Sequence, residues 1–500
     1  MYIGRSIVCA LICAASGMAQ TNGKPGASQC ADLAKLKIPG VALEMTKAEW
    51  LPAANALPAY CRADGVINRR TGVGGVEYGI GFALALPENW NHDFLMQGGG
   101  GLNGSVAPPM GAQAAGITPG LARGFAVVTT DTGHKGKGAF DGSFLSDQQA
   151  MLDFSYQAIG RVAETAKQII AAYYGAAASY SYYVGCSTGG REGMIMTQRY
   201  PTYFDGVVSG APAMRTGFSN LADRWVAVAL NRIAPKDSEG KPIPGGALSE
   251  SDKKLVMDSL LKRCDAKDGL EDGMIFHTSG CDFDPMALVC NGPKAEGCLS
   301  VEQAGAIKKG FAGPKDSRGM QVYPGFFFDT GIAAKTGIPG LLNPGPSPVG
   351  PREPPTQQDV DREAIEAEQP LIDSTFTRLN TFSGRNGKLI FYHGVSDPWF
   401  SAKDTVEYYG KLGKESVADW SRLFLAPGMG HCGGGAAALD RFDMLTAIVD
   451  WVEKKTAPDA VIATGRAFPG RSRPLCAYPK HAHYKGQGDP EDAKNFECRE

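Results

Sequence analysis

The stretch Tyr180-Ser181-Tyr182-Tyr183-Val184-Gly185-Cys186-Ser187-Thr188-Gly189 constrains the fold more than any other part of the chain. Its aromatic and β-branched residues favour a strand that stops at Gly185, and residues 191–199 suit a helix. Further strand-like runs lie at 80–86, 94–96, 125–130, 207–210, 388–392 and 422–425, with helical spacing over 153–174. Strands alternating with helices predict an α/β architecture with a doubly wound parallel sheet.

At 500 residues the chain exceeds what one hydrophobic core usually holds, about 250–300 residues. The break comes between 214 and 376, where four cysteines gather and residues 339–355 are rich in proline and glycine. This predicts a core in two parts, 20–213 and 377–500, interrupted by a lid domain over 214–376. Hydrophobic residues make up 43% and charged residues 20%, a globular balance. Lys+Arg number 50 against 52 Asp+Glu, so no basic excess suits nucleic acid and no acidic tail is indicated. Glycine (65) and proline (32) follow no fixed period, which excludes collagen.

Residues 1–19 have the form of a signal peptide: Arg5, an apolar run over 7–15, then Gly17-Met18-Ala19. The expectation is a secreted or periplasmic protein with no membrane association. Of twelve cysteines, Cys9 and Cys13 fall in or next to that apolar run, which leaves an even ten. An even set in an exported chain argues for disulfides. Short loops favour Cys30/Cys61, Cys264/Cys281, Cys290/Cys298 and Cys476/Cys498, leaving Cys186 and Cys432, although spacing does not fix connectivity.

Gly185 to Gly189 fits G-x-S-x-G between a strand and a helix, a turn that exposes a serine hydroxyl at the helix N-terminus. A serine needs a base, and the base needs an orienting carboxylate. His431 lies in a glycine-rich loop after the run 422–425, and Asp397 lies just past 388–392, giving the order Ser187, Asp397, His431. His393 is expected to pack at its strand terminus. Two backbone N–H groups must hold an oxyanion: Thr188 is one candidate, and Gly100 or Gly101 of Gly98-Gly99-Gly100-Gly101 the other. Cys186 precedes Ser187 and Cys432 follows His431, so a bridge between them would hold serine and imidazole together. Asn103-Gly104-Ser105 is formally a glycosylation sequon, discounted because a glycan would block this loop.

Gly185-Cys186-Ser187-Thr188-Gly189-Gly190-Arg191, Asp397 and His431-Cys432 together resemble the tannase/feruloyl esterase family, in which one disulfide joins the cysteines beside serine and histidine. The resemblance implies an α/β-hydrolase core, a lid over the acid-side pocket, and hydrolysis of aromatic carboxylic esters. It also implies a structural calcium ion in the lid, held by Asp265, Asp268 and Asp272 with the carbonyls of Leu270 and Met274. Generic spacing alone would favour a solvated acidic turn there. Trp399 and Phe400 are implied as substrate-binding. In family members that act on terephthalate monoesters the resemblance implies a lid arginine, in a tryptophan-rich stretch, for the free carboxylate; the comparable segment 336–342 holds no arginine or tryptophan, which favours feruloyl, hydroxycinnamoyl or galloyl esters. The aromatic run at 323–328 suits either a lid wall or a core. A non-catalytic calcium-dependent binder on the same scaffold is the reading from another class.

Overall fold

The computed structural model describes residues 26–243, 245–343, 357–413 and 416–500. The leader expected over 1–19 lies outside them, as does most of the stretch 339–355.

Nine strands form one sheet: β1 Leu43–Leu51, β2 Tyr60–Thr71, β3 Glu77–Pro87, β4 Asp93–Gln97, β5 Ala126–Thr130, β6 Tyr180–Cys186, β7 Gly206–Gly210, β8 Lys388–Gly394 and β9 Ser421–Ala426. Their order is β1-β2-β3-β5-β4-β6-β7-β8-β9. From β5 to β9 every neighbouring pair is parallel, in register at Tyr183↔Val207 and Val207↔Leu389. These strands are buried on both faces, as parallel strands covered by helices must be. The sheet is mixed rather than wholly parallel, because β1, β2 and β3 extend it in antiparallel pairing. Buried and half-exposed residues alternate along most of β2, the mark of a strand with one solvated face.

The helices Ala158–Tyr174, Thr188–Arg199 and Ala402–Lys411 contribute to the apolar core on one face of the sheet. Met444–Lys454 contributes to the core on the other. The helix expected over 153–174 begins with a π-turn, Asp153–Gln157, after a short helix Gln148–Leu152. A π-turn interrupts the i→i−4 ladder, and the carbonyls of Phe154 and Ser155 accept instead from the buried Arg191 side chain.

Between β7 and β8 lie the helices Thr216–Asn231, Glu250–Cys264 and Val301–Ala312. The latter two start at capping boxes, Ser249 with Asp252 and Ser300 with Gln303. Leu230, Val256, Leu260, Ile307 and Phe311 form an apolar cluster distinct from those flanking the sheet. Tyr323 and Phe326 are buried in that cluster and Phe328 stacks on Phe311 at 4.4 Å, so the aromatic run builds core.

Candidate active site

Three loops leave the carboxyl ends of the parallel strands β6, β8 and β9 and hold the candidate residues. In open α/β sheets the crevice beyond the carboxyl ends of the strands is where ligands bind, since all such loops open on one side. Ser187 follows β6 with φ 64° and ψ −124°, a conformation that an L-residue holds only when its surroundings enforce it. The flanking glycines are needed for space: a Cβ on Gly185 would meet the Gly189 carbonyl oxygen at 2.3 Å, and one on Gly189 would meet that of Gly99 at 2.7 Å. The helix begins at Thr188, immediately after the serine, three residues earlier than propensity suggested. Glycines 189 and 190 are poor helix formers, tolerated because tertiary contact demands them.

Asp397 follows β8 and His431 follows β9. The two loops are tied by the Ser396 N–H donating to the Met429 carbonyl at 3.0 Å. His431 Nδ1 lies 2.7 Å from Asp397 Oδ2, which orients the ring and leaves Nε2 for another partner. Asp397 is buried, and its Oδ1 accepts from the Trp399 and Phe400 N–H groups at 2.9 and 3.1 Å. Burial works against its charge, but His431 and His393 outweigh that and hold the carboxyl well below the usual carboxylate range. His393 is itself buried at its strand end, between Thr405 and the Phe400 carbonyl.

Cys186 and Cys432 are bridged, their Cα atoms 5.9 Å apart across 246 positions. Cys432 also has positive φ, 63°, which turns the chain back beside His431. The other bridges are Cys30–Cys61, Cys264–Cys281, Cys290–Cys298 and Cys476–Cys498.

The glycine loop after β4 is locked to the serine helix. Gly189 N–H donates to the Gly99 carbonyl at 3.1 Å, and the Thr188 hydroxyl donates to that of Gly101. Gly101 lines the cavity beside Ser187 and Thr188, whereas Gly100 does not. Sequence reasoning missed what anchors this loop. Glu192 is fully buried and accepts from Gly99 N–H, Asn103 Nδ2 and the Tyr183 hydroxyl at 3.2, 2.6 and 2.9 Å. Burial pushes its carboxyl up, against the charge of Arg191 and these hydrogen bonds. A signal was available: a helix that follows a central strand's elbow has little solvent-facing surface, so adjacent Arg191 and Glu192 had to be buried and partnered. The same contact leaves Asn103 buried, in keeping with the discounted sequon.

A cavity of about 330 Å³ opens beside Ser187. Leu102, Phe140, Phe154, Ile372, Trp399 and Phe400 supply its apolar walls, and Thr216, Asn220, Asp223 and Gln369 its polar side. The Trp399 and Phe400 rings lie 4.9 and 5.1 Å from that of His431, so the expected pocket residues border the histidine.

The acidic loop lies elsewhere, against two C-terminal strand pairs, Ala460–Thr464 with Ser472–Cys476 and His481–Tyr484 with Phe496–Arg499. Asp265 Oδ2 accepts from Gly273 N–H at 2.9 Å and Asp268 Oδ2 from Phe276 N–H at 2.8 Å, while Asp272 Oδ2 is held by Arg473 at 2.5 Å. Burial pushes the Asp268 carboxyl up to about 7, with the charges of Asp272 and Asp265 adding to it. Buried like charges of this kind suit a hard cation. Among the described residues, however, no three His, Cys, Asp or Glu side chains converge as a metal cluster.

A serine on a strand–helix elbow, bridged by a disulfide to the loop of an aspartate–histidine pair on a mixed sheet flanked by helices, is the arrangement of an α/β-hydrolase. The family model for tannase and feruloyl esterase matches residues 61–344 and 350–499, and the chain belongs to that family of carboxylic ester hydrolases. It is 37% identical to mono(2-hydroxyethyl) terephthalate hydrolase of Piscinibacter sakaiensis, over 92% of this chain and 89% of that one. It is 31% identical to a probable feruloyl esterase B-2 of Aspergillus terreus, over 83% and 81%. The solved feruloyl esterase B of Aspergillus oryzae superposes with a TM-score of 0.76 at 26% identity, covering 95% of this chain and all of that one.

Proposed function

We propose that the chain is an exported serine esterase that hydrolyses esters of aromatic carboxylic acids, feruloyl, hydroxycinnamoyl or galloyl, through an acyl-enzyme. The observation that carries this reading is Ser187 at an aromatic-walled cavity, bridged through Cys186–Cys432 to the loop of the Asp397–His431 pair.

Ser187 Oγ attacks the ester carbonyl while His431 Nε2 takes its proton, and Asp397 stabilises the imidazolium. The N–H groups of Thr188 and Gly101 hold the oxyanion. As the tetrahedral adduct collapses, His431 returns the proton to the departing alcohol. Water, deprotonated by His431, then releases the acid and regenerates Ser187. Bridges among the described cysteines suit an oxidising compartment, and no helix among the described residues is long and apolar enough to cross a membrane.

Arg191 reaches the cavity wall, but its guanidinium already donates to the carbonyls of Phe154, Ser155 and Ile372. That supports a neutral or phenolic acid group. Terephthalate monoesters are the second reading, favoured by the 37% identical relative named for that activity. Rates for methyl ferulate, methyl gallate and mono(2-hydroxyethyl) terephthalate separate the two: the first reading requires the highest kcat/KM on a methyl ester. Fluorophosphonate labelling of Ser187, lost in Ser187→Ala, tests the serine chemistry itself; absence of labelling in folded protein would favour a binder.

We further propose that the acidic loop takes a structural calcium ion through Asp265, Asp268, Asp272 and the Leu270 and Met274 carbonyls. Exhaustive chelation should lower the unfolding temperature and leave kcat at low temperature unchanged. An unchanged unfolding temperature would mean that Arg471 and Arg473, which both pair with Asp272, alone neutralise the loop.

A further inference from the structure

The segment between β7 and β8 reaches the site by a route other than the cavity wall. Asp329 is fully buried. Its Oδ2 accepts from the Ser396 hydroxyl at 2.6 Å and from the Gly428 N–H at 2.7 Å. Ser396 immediately precedes Asp397, and Gly428 precedes His431 by three positions. The Gly331 N–H donates to the same Ser396 Oγ at 2.9 Å. At Gly331 a Cβ would meet Ser396 Oγ at 2.7 Å and the Gly428 carbonyl oxygen at 2.8 Å, so the three segments meet with no room for a side chain between them.

One carboxylate oxygen therefore receives a donor from the aspartate loop and another from the histidine loop. The other oxygen, Oδ1, has no partner among the described residues. Burying a carboxyl with one oxygen unsatisfied costs free energy, and an apolar side chain would fill such a site at lower cost. The two donated hydrogen bonds are what an apolar replacement could not supply.

We propose that Asp329 is a positioning residue: a buried carboxyl from the inserted segment that fixes the Asp397 and His431 loops relative to each other, and so sets the geometry of the triad. The inference rests on Ser187, Asp397 and His431 acting as that triad. It makes the insertion part of the catalytic framework as well as a wall of the pocket. Substrate contacts only the wall; the strut acts through the imidazole.

The test is a set of variants assayed by ester turnover, fluorophosphonate inactivation and thermal unfolding. Asp329→Ala should lower kcat by about tenfold to a hundredfold, the range that follows from displacing a catalytic group by about 1 Å, with KM within about twofold. Inactivation by the fluorophosphonate, which needs little of the acid pocket, should slow by the same factor. Asp329→Asn keeps an acceptor and should recover most of the loss. Ser396→Ala should fall in the same direction, and the double variant should be no slower than Asp329→Ala. Wild-type kcat in folded Asp329→Ala, or a loss confined to KM or unfolding temperature, overturns the proposal. If Asp329→Ala does not fold, wild-type kcat and labelling rate in Ser396→Ala overturn it instead. A wild-type protein not labelled at Ser187 removes the triad reading and the strut with it. A labelled wild type with unaffected variants removes only the strut.

Discussion

Two disulfides of this chain do opposite kinds of work. Cys290–Cys298 joins residues 8 positions apart, and Cys186–Cys432 joins residues 246 apart, with almost the same Cα separation, 5.0 and 5.9 Å. Chain-entropy arithmetic gives about 2.5 kcal/mol for the short loop and about 5 kcal/mol for the long one, as a model-dependent upper scale. The larger difference lies in what each end adjoins. The long bridge connects two turns of positive φ, at Ser187 (64°) and Cys432 (63°), one beside the hydroxyl and the other beside the imidazole. The short one closes a surface loop of the inserted segment. In the first case stability and catalytic geometry share one covalent bond; in the second they are separate.

The largest expected effect bears on the pair that the long bridge serves. Asp397→Asn should reduce kcat about ten-thousandfold with little change in fold, because the amide favours the wrong imidazole tautomer. Retained activity in that variant would show that the bridge holds a loop of no catalytic consequence. Next comes the bridge itself. Replacing Cys186 and Cys432 together with serine should lower kcat by about a hundredfold, through loosened positioning, and remove up to about 5 kcal/mol of stability. Kinetics measured below the variant's own unfolding transition separate the two losses.

That bridge was suggested by the sequence, because each of its cysteines sits beside a residue of a candidate motif, although spacing left the connectivity open. The elbow and the positions of Asp397 and His431 past their strands were readable in the same way, since strand–turn–helix patterning puts the loops of parallel strands on one edge. Less was readable where the signal was tertiary. β2 carries its apolar residues Cys61, Ala63 and Ile67 on one face, yet the interleaved Arg62 and Asp64 obscured a strand that binds only the antiparallel flank of the sheet. The early start of the serine helix was hidden because Gly189 and Gly190 oppose helix formation locally and are required by close backbone approach. Glu192 and Asp329 act from burial, and no local spacing encodes which distant loop a buried carboxyl will meet. The aromatic residues Phe326 and Phe328 had no pattern to separate a pocket wall from a core, and packing placed them in the core.

Neither bridge titrates, so acid sensitivity must arise elsewhere, and His134 is a defined source. It is buried beside Gly104, with its ring stacked on Phe144 at 3.7 Å. Burial pushes it down from 6.5 to about 4. Between those values the unfolded chain binds the proton and the native protein does not, so stability falls as pH drops from about 6.5 to about 4. The shift corresponds to about 3 kcal/mol lost across that window. Denaturant unfolding of wild type and His134→Leu at pH 7 and pH 4.5 measures it, and the variant should show the smaller pH difference. An identical pH difference in both proteins would assign the acid sensitivity to other groups.

The smallest effect sharpens the contrast most. Replacing Cys290 and Cys298 with serine should cost about 2.5 kcal/mol or less. The cost is small because the closed loop is short, and the loop has other ties: Cys290 N–H donates to the Leu299 carbonyl at 2.9 Å, and Leu299 N–H to that of Leu288 at 2.8 Å. These bonds hold the two ends together in the folded protein, so the native loop stays ordered on reduction and the cost is set by the freedom regained in the unfolded chain. kcat and KM should stay within about twofold, since nothing in this loop touches Ser187, Asp397, His431 or the strut at Asp329. Stopped-assay kinetics and unfolding on the same preparation decide the point. A fall in kcat comparable to that of the long-bridge variant would show that any loosening of the inserted segment reaches the triad. The distinction between a bridge that sets geometry and a bridge that only closes a loop would then fail, and the insertion would have to be treated as one mechanical unit with the active site.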